Sequence, residues 1–594
     1  MKSVVCLFMS LFCLVSSAQV DPVLAKDYYQ KGAFEKALVL YQKLLVTSRS
    51  HPDYTLKVIE CHQQLNQFKA AQEHIETQML QSRHPQFLVE LGYNYQLQNK
   101  LELAASNYDQ ALLLVDEQPN YVYGVAQRFE AHSLLSQAIQ TYEIGLVRAP
   151  NPTYYYQLAG LYAAQQNIEK MMERYLDYVQ TNPPYMNQVM RLLADYISED
   201  SSQPYNQLFK KVLLKKSQAV PDPLWNQWLS WLYVQQKDFS KAFIQEKAVY
   251  RRRPESLQGL INLAVLANEQ KAYKTALTVF EFIIQSSTDP RLLIVANCKL
   301  LELQLEIATD SKRYKDINAS YLGLIDRYQL GQESIELQLS YAHFLAFYDN
   351  NLEAATTFLK TALKENLSAL TAAKLKMKLA DVFVAQNKFN QALVYYTQIQ
   401  LAVKNSPLAQ QARFKVAKTS YYKGDFEWAE TQLKVLKSST SQLTANDALE
   451  LQLLITDHTG SDSLHTALKR YAKADLLTVQ KKPKEAILVL ESILENHKTD
   501  PIIDQVLLFQ AHVYESQKQY DKAASNYLQI IKDHKEEILV DDAYFYLAEL
   551  YRTQLEDSEK AQLNYESIIF NHEDSIHFVE ARNQYRLLRG DLMN

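Results

Sequence analysis

The chain has 594 residues, of which 47% are hydrophobic and 22% are charged, a composition typical of a globular protein rather than a disordered one. Glycine accounts for only 11 residues. This is far below the usual ~7%, which argues against sheets, hairpins and glycine-rich phosphate loops and favours an all-α fold. The net charge of −5 gives no sign of a nucleic-acid partner.

The first 18 residues have the pattern of a signal peptide. Lys2 supplies the positive charge, Val4–Val15 is an apolar segment, and residues 16–18 form a small-residue cleavage site. The apolar segment is too short to span a bilayer. Bulky residues precede Cys6 and Cys13, whereas a lipidated cysteine follows a small residue. We therefore expect an exported, periplasmic protein that is not a lipoprotein and has no transmembrane segment.

Two cysteines, Cys61 and Cys298, remain after such a leader is removed. They lie far apart along the chain, in different units of the repeat described next. Packed helices are ~8–10 Å apart, whereas a disulfide needs Cα atoms within ~7 Å. We therefore expect two free thiols that are buried as small hydrophobic side chains.

One phrase recurs along the chain, for example as QKGAFEKALVLYQKLL at residues 30–45 and as SQKQYDKAASNYLQI at residues 516–530. The unit is numbered so that its most regular small residue is position 20, and a second small residue then falls at position 8. Two helices cross closely only where neither carries a bulky side chain. Each unit is therefore predicted to be a helix A and a helix B that meet at positions 8 and 20. The position-20 residues are Ala37, Ala71, Ala104, Ala138, Ala242, Ala276, Ala355, Ala392, Ala429, Ala486, Ala523 and Ala561.

Two further positions complete the repeat. Position 15 is glycine or asparagine in several units, and these residues adopt the positive φ at which a helix commonly ends. It is Gly32, Asn66, Asn99, Asn350, Asn387 and Gly424. Position 24 lies one turn beyond position 20 on helix B and is predicted to pack against the next unit. It is Tyr41, Tyr108, Tyr142, Tyr175, Phe280, Tyr396 and Tyr527.

This pattern resembles the tetratricopeptide repeat (TPR), whose Leu-Gly-x-x-Tyr motif matches Leu91-Gly92-Tyr93-Asn94-Tyr95. The likeness covers most of residues 21–580 and implies a right-handed superhelical solenoid of antiparallel helix pairs. The segments 541–551 and 575–590 also resemble the TPR proteins of the periplasm and of outer-membrane assembly in Gram-negative bacteria.

The spacing of the units predicts a division along the chain. The predicted parts are a signal peptide (1–18), an N-terminal TPR array (19–184), a degenerate repeat (185–222), a central array (223–440), an irregular helical junction (441–482), and a C-terminal array that ends in a capping helix (483–594).

The sequence contains no P-loop, GxGxxG, GxSxG, HExxH or CxxC motif and no EF-hand loop, so we expect no enzyme activity, cofactor or metal. His497, His534 and His572 share one register, but they lie one unit apart. They are therefore too far apart to share a metal at ligand distances of ~2 Å.

The resemblance implies that positions 5, 9 and 12 of helix A line an inner groove. The aromatic residues at these positions are candidate contacts for a protein or peptide partner, because rigid aromatics commonly anchor interfaces; packing between repeats would also account for them. They are Tyr93, Tyr123, Tyr156, Trp231, Phe344, Phe347, Phe414 and Tyr421. The predicted function is therefore a protein-binding scaffold, in cell-envelope assembly or secretion. The alternatives are a self-associating assembly subunit and an accessory protein that binds cell-wall glycan.

Overall fold

A computed structural model describes residues 21–47, 52–82, 84–307, 311–436, 442–459 and 465–590. The predicted leader, residues 1–18, lies outside the described residues. Within those ranges the chain forms 32 α-helices and no β-strand. The helices group into two compact units that divide between Arg253 and Pro254.

The first compact unit contains helices α1–α14, and 3-10 turns at Pro119–Tyr121 and Pro183–Tyr185 precede α7 and α11. The helices are α1 Pro22–Gln30, α2 Phe34–Thr47, α3 Pro52–Gln64, α4 Phe68–Gln81, α5 Gln86–Leu97, α6 Leu101–Glu117, α7 Val122–Ala131, α8 Leu135–Arg148, α9 Thr153–Ala164, α10 Ile168–Thr181, α11 Met186–Ala194, α12 Pro204–Ala219, α13 Pro223–Gln235 and α14 Phe239–Arg252.

The second compact unit contains helices α15–α32. They are α15 Gln258–Glu269, α16 Tyr273–Ser286, α17 Pro290–Glu306, α18 Ser311–Tyr328, α19 Ile335–Phe347, α20 Leu352–Ala362, α21 Ala369–Ala385, α22 Phe389–Ala402, α23 Pro407–Lys423, α24 Phe426–Leu436, α25 Gln442–His458, α26 Thr466–Val479, α27 Pro483–Asn496, α28 Ile503–Ser516, α29 Tyr520–Asp533, α30 Val540–Thr553, α31 Ser558–Asn571 and α32 Phe578–Arg589.

Helix contacts follow the order of the chain within each compact unit. Odd-numbered helices are the A helices and even-numbered ones the B helices as far as α24, and most helices pack against the next one in the same unit, as α5 does against α6 and α21 against α22. Successive A helices also touch, as α5 does α7 and α19 does α21. The predicted all-α solenoid of antiparallel helix pairs is therefore confirmed.

The small residues lie where the two helices of a pair cross, as predicted. Ala380 and Ala392, at positions 8 and 20 of one pair, are both completely buried. A Cβ atom added to Gly92 would lie 2.4 Å from the ring of Tyr108, so this crossing has no room for one more carbon. The position-24 aromatics are also buried. Tyr142, for example, packs on Tyr154 of the next pair, with ring centroids 5.4 Å apart.

Helix A ends in a left-handed residue in almost every pair. Gly32 and Asn99 have φ values of 73° and 62°, as the position-15 pattern predicts. The same position also has positive φ where the residue is Ser133, Lys237 or Lys518. The tight A–B connection therefore imposes this conformation even on residues for which it costs ~1–2 kcal/mol. Glycine and asparagine occur only in some of the units, and there the conformation costs less free energy.

The predicted degenerate repeat, residues 185–222, forms the short helix α11 and the longer helix α12. Helix α12 packs against α10 and carries a row of lysines that pair with acidic residues of that helix. The pairs are Lys211 with Glu169, Lys215 with Glu173, and Lys216 with Asp177.

The predicted junction, residues 441–482, contains α25 and α26. Helix α25 is an additional helix that packs on α24 and α23, and α26 resumes the A-helix role by packing on α23 and pairing with α27. Four A helices, α19, α21, α23 and α26, therefore follow one another despite the insertion.

Cys61 and Cys298 are buried free cysteines, as predicted. No helix in the described part of the chain has both the length and the apolar character needed to cross a membrane.

Candidate binding groove

Two of the eight predicted groove aromatics are buried in the core. Phe344 and Tyr421 both have 0% exposure, so the prediction that they contact a partner is wrong. Phe344 packs on Tyr321, with ring centroids 5.5 Å apart, and Tyr421 packs on Phe426 at 6.0 Å. The physical reason is that these A helices have neighbours on several sides; α23, for example, contacts α22, α24, α25 and α26.

Tyr93 and Tyr123 lie in the first compact unit and differ in how accessible their rings are to a ligand. The Tyr93 ring stacks on His132, with centroids 3.8 Å apart and planes 17° from parallel. Tyr123 is 50% exposed, and its hydroxyl accepts a hydrogen bond from Gln127 at 2.8 Å. Tyr123 is therefore available to a partner, whereas Tyr93 covers the histidine beneath it.

Tyr156 and Trp231 are partly buried among neighbouring rings. Tyr156 packs on Tyr178, with centroids 5.4 Å apart. Trp231 makes edge contacts with Phe209 at 5.9 Å and with Trp228 at 5.6 Å. Both therefore contribute to packing between helices and leave only part of each ring for a ligand.

A network of charged side chains lies beneath Tyr93 and joins four successive A helices. Arg128 of α7 donates to Glu60 of α3 at 2.7 Å and to Glu90 of α5 at 2.6 Å. His132 also contacts Glu90, at 3.0 Å, and Tyr29 of α1 donates to Glu60 at 2.8 Å. These contacts link the A helices α1, α3, α5 and α7 of the first compact unit.

The network holds both carboxylates in the ionised form. Burial alone would raise the pKa of Glu90, but the charges of Arg128 and His132 lower it to about 2. The pKa of Glu60 is also lowered, because Arg128 and Lys57 outweigh its burial. This part of the groove is therefore a structural ion-pair cluster.

Phe347 and Phe414 come together in the second compact unit. They belong to α19 and α23, and both line one cavity of about 410 Å³. The walls come mainly from the A helices α19, α21, α23 and α26. The remaining lining residues are His343, Lys378, Asp381, Val384, Tyr396, Lys415, Lys418, Thr419, Tyr422, Val479 and Lys481. Of the eight predicted residues, these two share a single cavity.

Two lysines of this cavity are paired. Lys415 contacts Asp381 at 2.8 Å, and Asp381 also accepts a hydrogen bond from the Tyr396 hydroxyl at 2.6 Å. Lys418 lies 3.5 Å from Asp475. Both ammonium groups therefore have a carboxylate of the chain itself as counter-charge.

The other two lysines lack such a partner. No carboxylate of the described residues lies within 4.0 Å of the ammonium groups of Lys378 and Lys481. Burial lowers the pKa of Lys378, and Asp381 partly opposes this shift. Burial together with these two lysines lowers the pKa of His343 to about 4, so its imidazole is neutral at pH 7. The cavity therefore combines apolar walls with uncompensated positive charge.

A second cavity of about 590 Å³ adjoins the first and shares His343 and Lys378 with it. Its charged side chains are four glutamates and three lysines, one of which is the shared Lys378. Glu302 accepts from Ser340 at 2.9 Å, and Glu306 accepts from the Tyr348 hydroxyl at 2.9 Å. The remaining lining residues are Asn268, Glu269, Lys271, Tyr273, Lys299, Leu303, Leu305, Tyr321, Glu336 and Leu339.

The groove lysines could have been found from the register. Lys378 and Lys415 both occupy position 6 of their units, next to the position 5 that Phe414 occupies. The resemblance points to positions 5, 9 and 12, and position 6 lies outside that set. The recurrence of lysine at position 6 in successive units is the sequence signal that would have predicted the groove lysines.

Within the described ranges, no group of three or more histidine, cysteine, aspartate or glutamate side chains is placed to hold a metal ion. The side chains of the groove offer apolar contact, hydrogen bonding and charge pairing to a ligand.

Comparison with protein-family models and with curated proteins gives no match. Among solved structures, the chain is similar to Naa15/Naa10 bound to HypK-THB, at 12% identity over 96% of this chain and 95% of that one, with a TM-score of 0.29. It is also similar to the APC/C hetero-tetramer Cut9-Hcn1, at 11% identity over 95% of each chain and a TM-score of 0.24. A third similar structure is the TPR domain of P58(IPK), at 15% identity over 62% of this chain and 98% of that one, with a TM-score of 0.18. At such TM-scores the description of the fold rests on the contacts within this chain.

Proposed function

We propose that this chain is an exported scaffold that binds a protein or peptide partner through the groove face of its A helices. The observation that carries the proposal is the meeting of Phe347 and Phe414, from two different A helices, in one cavity. Its volume of about 410 Å³ lies within the ~300–1,000 Å³ range of ligand pockets. The cavity has room for one or two side chains of a bound segment.

The repeat architecture supports the same proposal. A single helix pair cannot bury its apolar face alone, so function in such arrays is carried by the continuous surface that many pairs form. Anchoring aromatics at interfaces typically lose more than ~1–2 kcal/mol of binding energy on truncation. Phe347 and Phe414, which line one cavity, are the anchors that we propose for a partner segment.

Peptide display on the full-length mature chain tests this role. Peptides selected on the wild-type chain should bind Phe347→Ala and Phe414→Ala at least about ten-fold more weakly. The matched control is Trp428→Ala, because Trp428 is an exposed aromatic on the B helix α24 and does not line the cavity. Circular dichroism should show unchanged helicity in all three variants. Equal binding by the wild-type and both phenylalanine variants would refute the role of the cavity.

Export belongs to the same proposal and is supported by the charged, apolar and small-residue order of residues 2–18. Cell-envelope assembly or secretion is the process we propose. The intact mass of the protein from a periplasmic fraction should correspond to a chain that begins at Gln19 without added lipid. A retained leader or a diacylglyceryl group would contradict this.

A further inference from the structure

The two adjoining cavities of the second compact unit carry opposite charges. The cavity around Phe347 and Phe414 is lined by four lysines and one aspartate. Apart from the shared Lys378, the neighbouring cavity is lined by four glutamates and two lysines. The groove therefore changes from acidic to basic at His343 and Lys378, which line both cavities.

The pairs within the groove show which charges remain for a ligand. In the acidic cavity Glu302 pairs with Lys299 at 2.8 Å and Glu336 with Lys374 at 3.3 Å. Apart from the shared Lys378, the charged lining groups that have no ion-pair partner within 4.0 Å among the described residues are Glu306 and Glu269, together with the single cation Lys271. In the basic cavity the uncompensated groups are Lys378 and Lys481. Each end of the groove therefore has charged groups that the chain itself does not neutralise.

The order of the helices sets the distance between the two ends. Glu306 lies on α17 and Lys378 on α21, and α19 lies between them and contacts both. Two steps between packed helices of ~8–10 Å each separate the axes of α17 and α21 by roughly 16–20 Å. An extended chain advances ~3.3–3.6 Å per residue, so a segment that runs across the A helices from α17 to α21 covers this distance in about five or six residues.

We propose that this groove holds an extended peptide segment of a partner with a basic side chain at one end and, about five or six residues away, an acidic residue next to an apolar one. The basic side chain lies against Glu306 and Glu269. The acidic side chain lies against Lys378, and the apolar one enters the cavity between Phe347 and Phe414. This inference rests on the proposed peptide-binding function and adds the charge pattern of the ligand.

Two consequences distinguish this ligand from a merely apolar or merely acidic one. A peptide of the same composition that has its apolar residue beside the basic residue cannot satisfy both cavities in either orientation. Binding should also weaken with rising salt, because charge pairs at partly exposed sites are screened.

The test uses the peptides selected on the full-length mature chain, with binding measured by fluorescence anisotropy. The enriched sequences should have an acidic residue beside an apolar one and a basic residue five or six positions away. Lys378→Gln should weaken binding by at least about ten-fold. The matched control is Lys376→Gln, two residues away on the same helix and outside both cavities, which should stay within about two-fold. Replacing the peptide's acidic residue by glutamine should remove the difference between the two variants.

The outcomes separate this inference from the function on which it rests. If Phe347→Ala weakens binding while Lys378→Gln and Lys376→Gln behave alike, the charge pattern is wrong and the peptide-binding function stands. If the enriched peptides show no segregation of charge, the inference is likewise overturned. If neither the phenylalanine variants nor Lys378→Gln alters binding, the proposed function fails together with the inference.

Discussion

Replacement of Arg128 by methionine should destabilise the first compact unit locally and strongly. Arg128 bridges Glu60 and Glu90 at 2.7 Å and 2.6 Å, and its side chain is only 12% exposed. Methionine retains much of the apolar volume but leaves Glu90 without its arginine. Removing one partner of a buried ion pair costs about 3–5 kcal/mol, because the remaining charge is desolvated and uncompensated. His132 and Lys57 still contact the two carboxylates, which favours the lower end of this range.

The loss should depend on pH in a defined direction. In the wild-type chain the pKa of Glu90 is lowered to about 2. Its contribution to stability is therefore present above the usual pKa of ~4.3 and is lost as the pH falls towards 2. Without Arg128 the largest contribution that opposes burial is removed, so the pKa of Glu90 should rise from this low value and its ionisation should stabilise the folded state less. The difference between wild type and variant should be larger at pH 7 than at pH 4.

Hydrogen exchange measured by mass spectrometry suits this prediction, because repeat arrays open locally. Exchange in α3, α5 and α7 should accelerate in the variant, and α28–α30 in the other compact unit should serve as an internal reference. The control is Arg148→Met, which removes an arginine that pairs with Asp116 at 2.6 Å on the exposed surface. That change should have little effect, since exposed ion pairs contribute little. Equal protection in the two variants, or a loss independent of pH, would refute the reasoning.

Three further predictions concern packing. Gly92→Ala should destabilise the chain by about 1–3 kcal/mol, because the new methyl group would meet a ring carbon of Tyr108 at 2.4 Å. Gly160→Ala, whose added Cβ would meet nothing within 4 Å beyond its own helix backbone and its chain neighbours, should stabilise it by about 1 kcal/mol; urea unfolding would show any reversal of these signs. Ala392→Leu should cost about 1–3 kcal/mol at a completely buried helix crossing, and a loss below about 0.5 kcal/mol would contradict the assigned register. Burial raises the pKa of the Cys61 and Cys298 thiols to about 12, so neither should react with iodoacetamide at pH 8 until denaturant is added; labelling of the native chain within minutes would disprove their burial.

The sequence alone was sufficient to predict the repeat and its register. Positions 8, 20 and 24 were assigned correctly because every helix pair faces the same local demand: small residues at the crossing, such as Ala380 and Ala392, and a large one towards the next pair. The helix ends at Gly32 and Asn99 were predictable for the same reason, since a tight A–B connection needs a left-handed residue. Such requirements recur in each unit and therefore leave a periodic signal.

The tertiary structure alone decided which groove residues are free and which are buried. Phe344 and Phe347 lie three residues apart on α19, yet the first is completely buried and the second lines a cavity. Arg128 pairs with Glu60, which lies 68 residues earlier in the chain, and the periodicity of the sequence does not predict this pair. The basic cavity exists because α26 reaches α23 past the inserted helix α25. Exposure and charge pairing depend on the neighbours that surround a side chain on every side. Where those neighbours come from distant or irregular parts of the chain, the position of a residue within its own repeat cannot predict them.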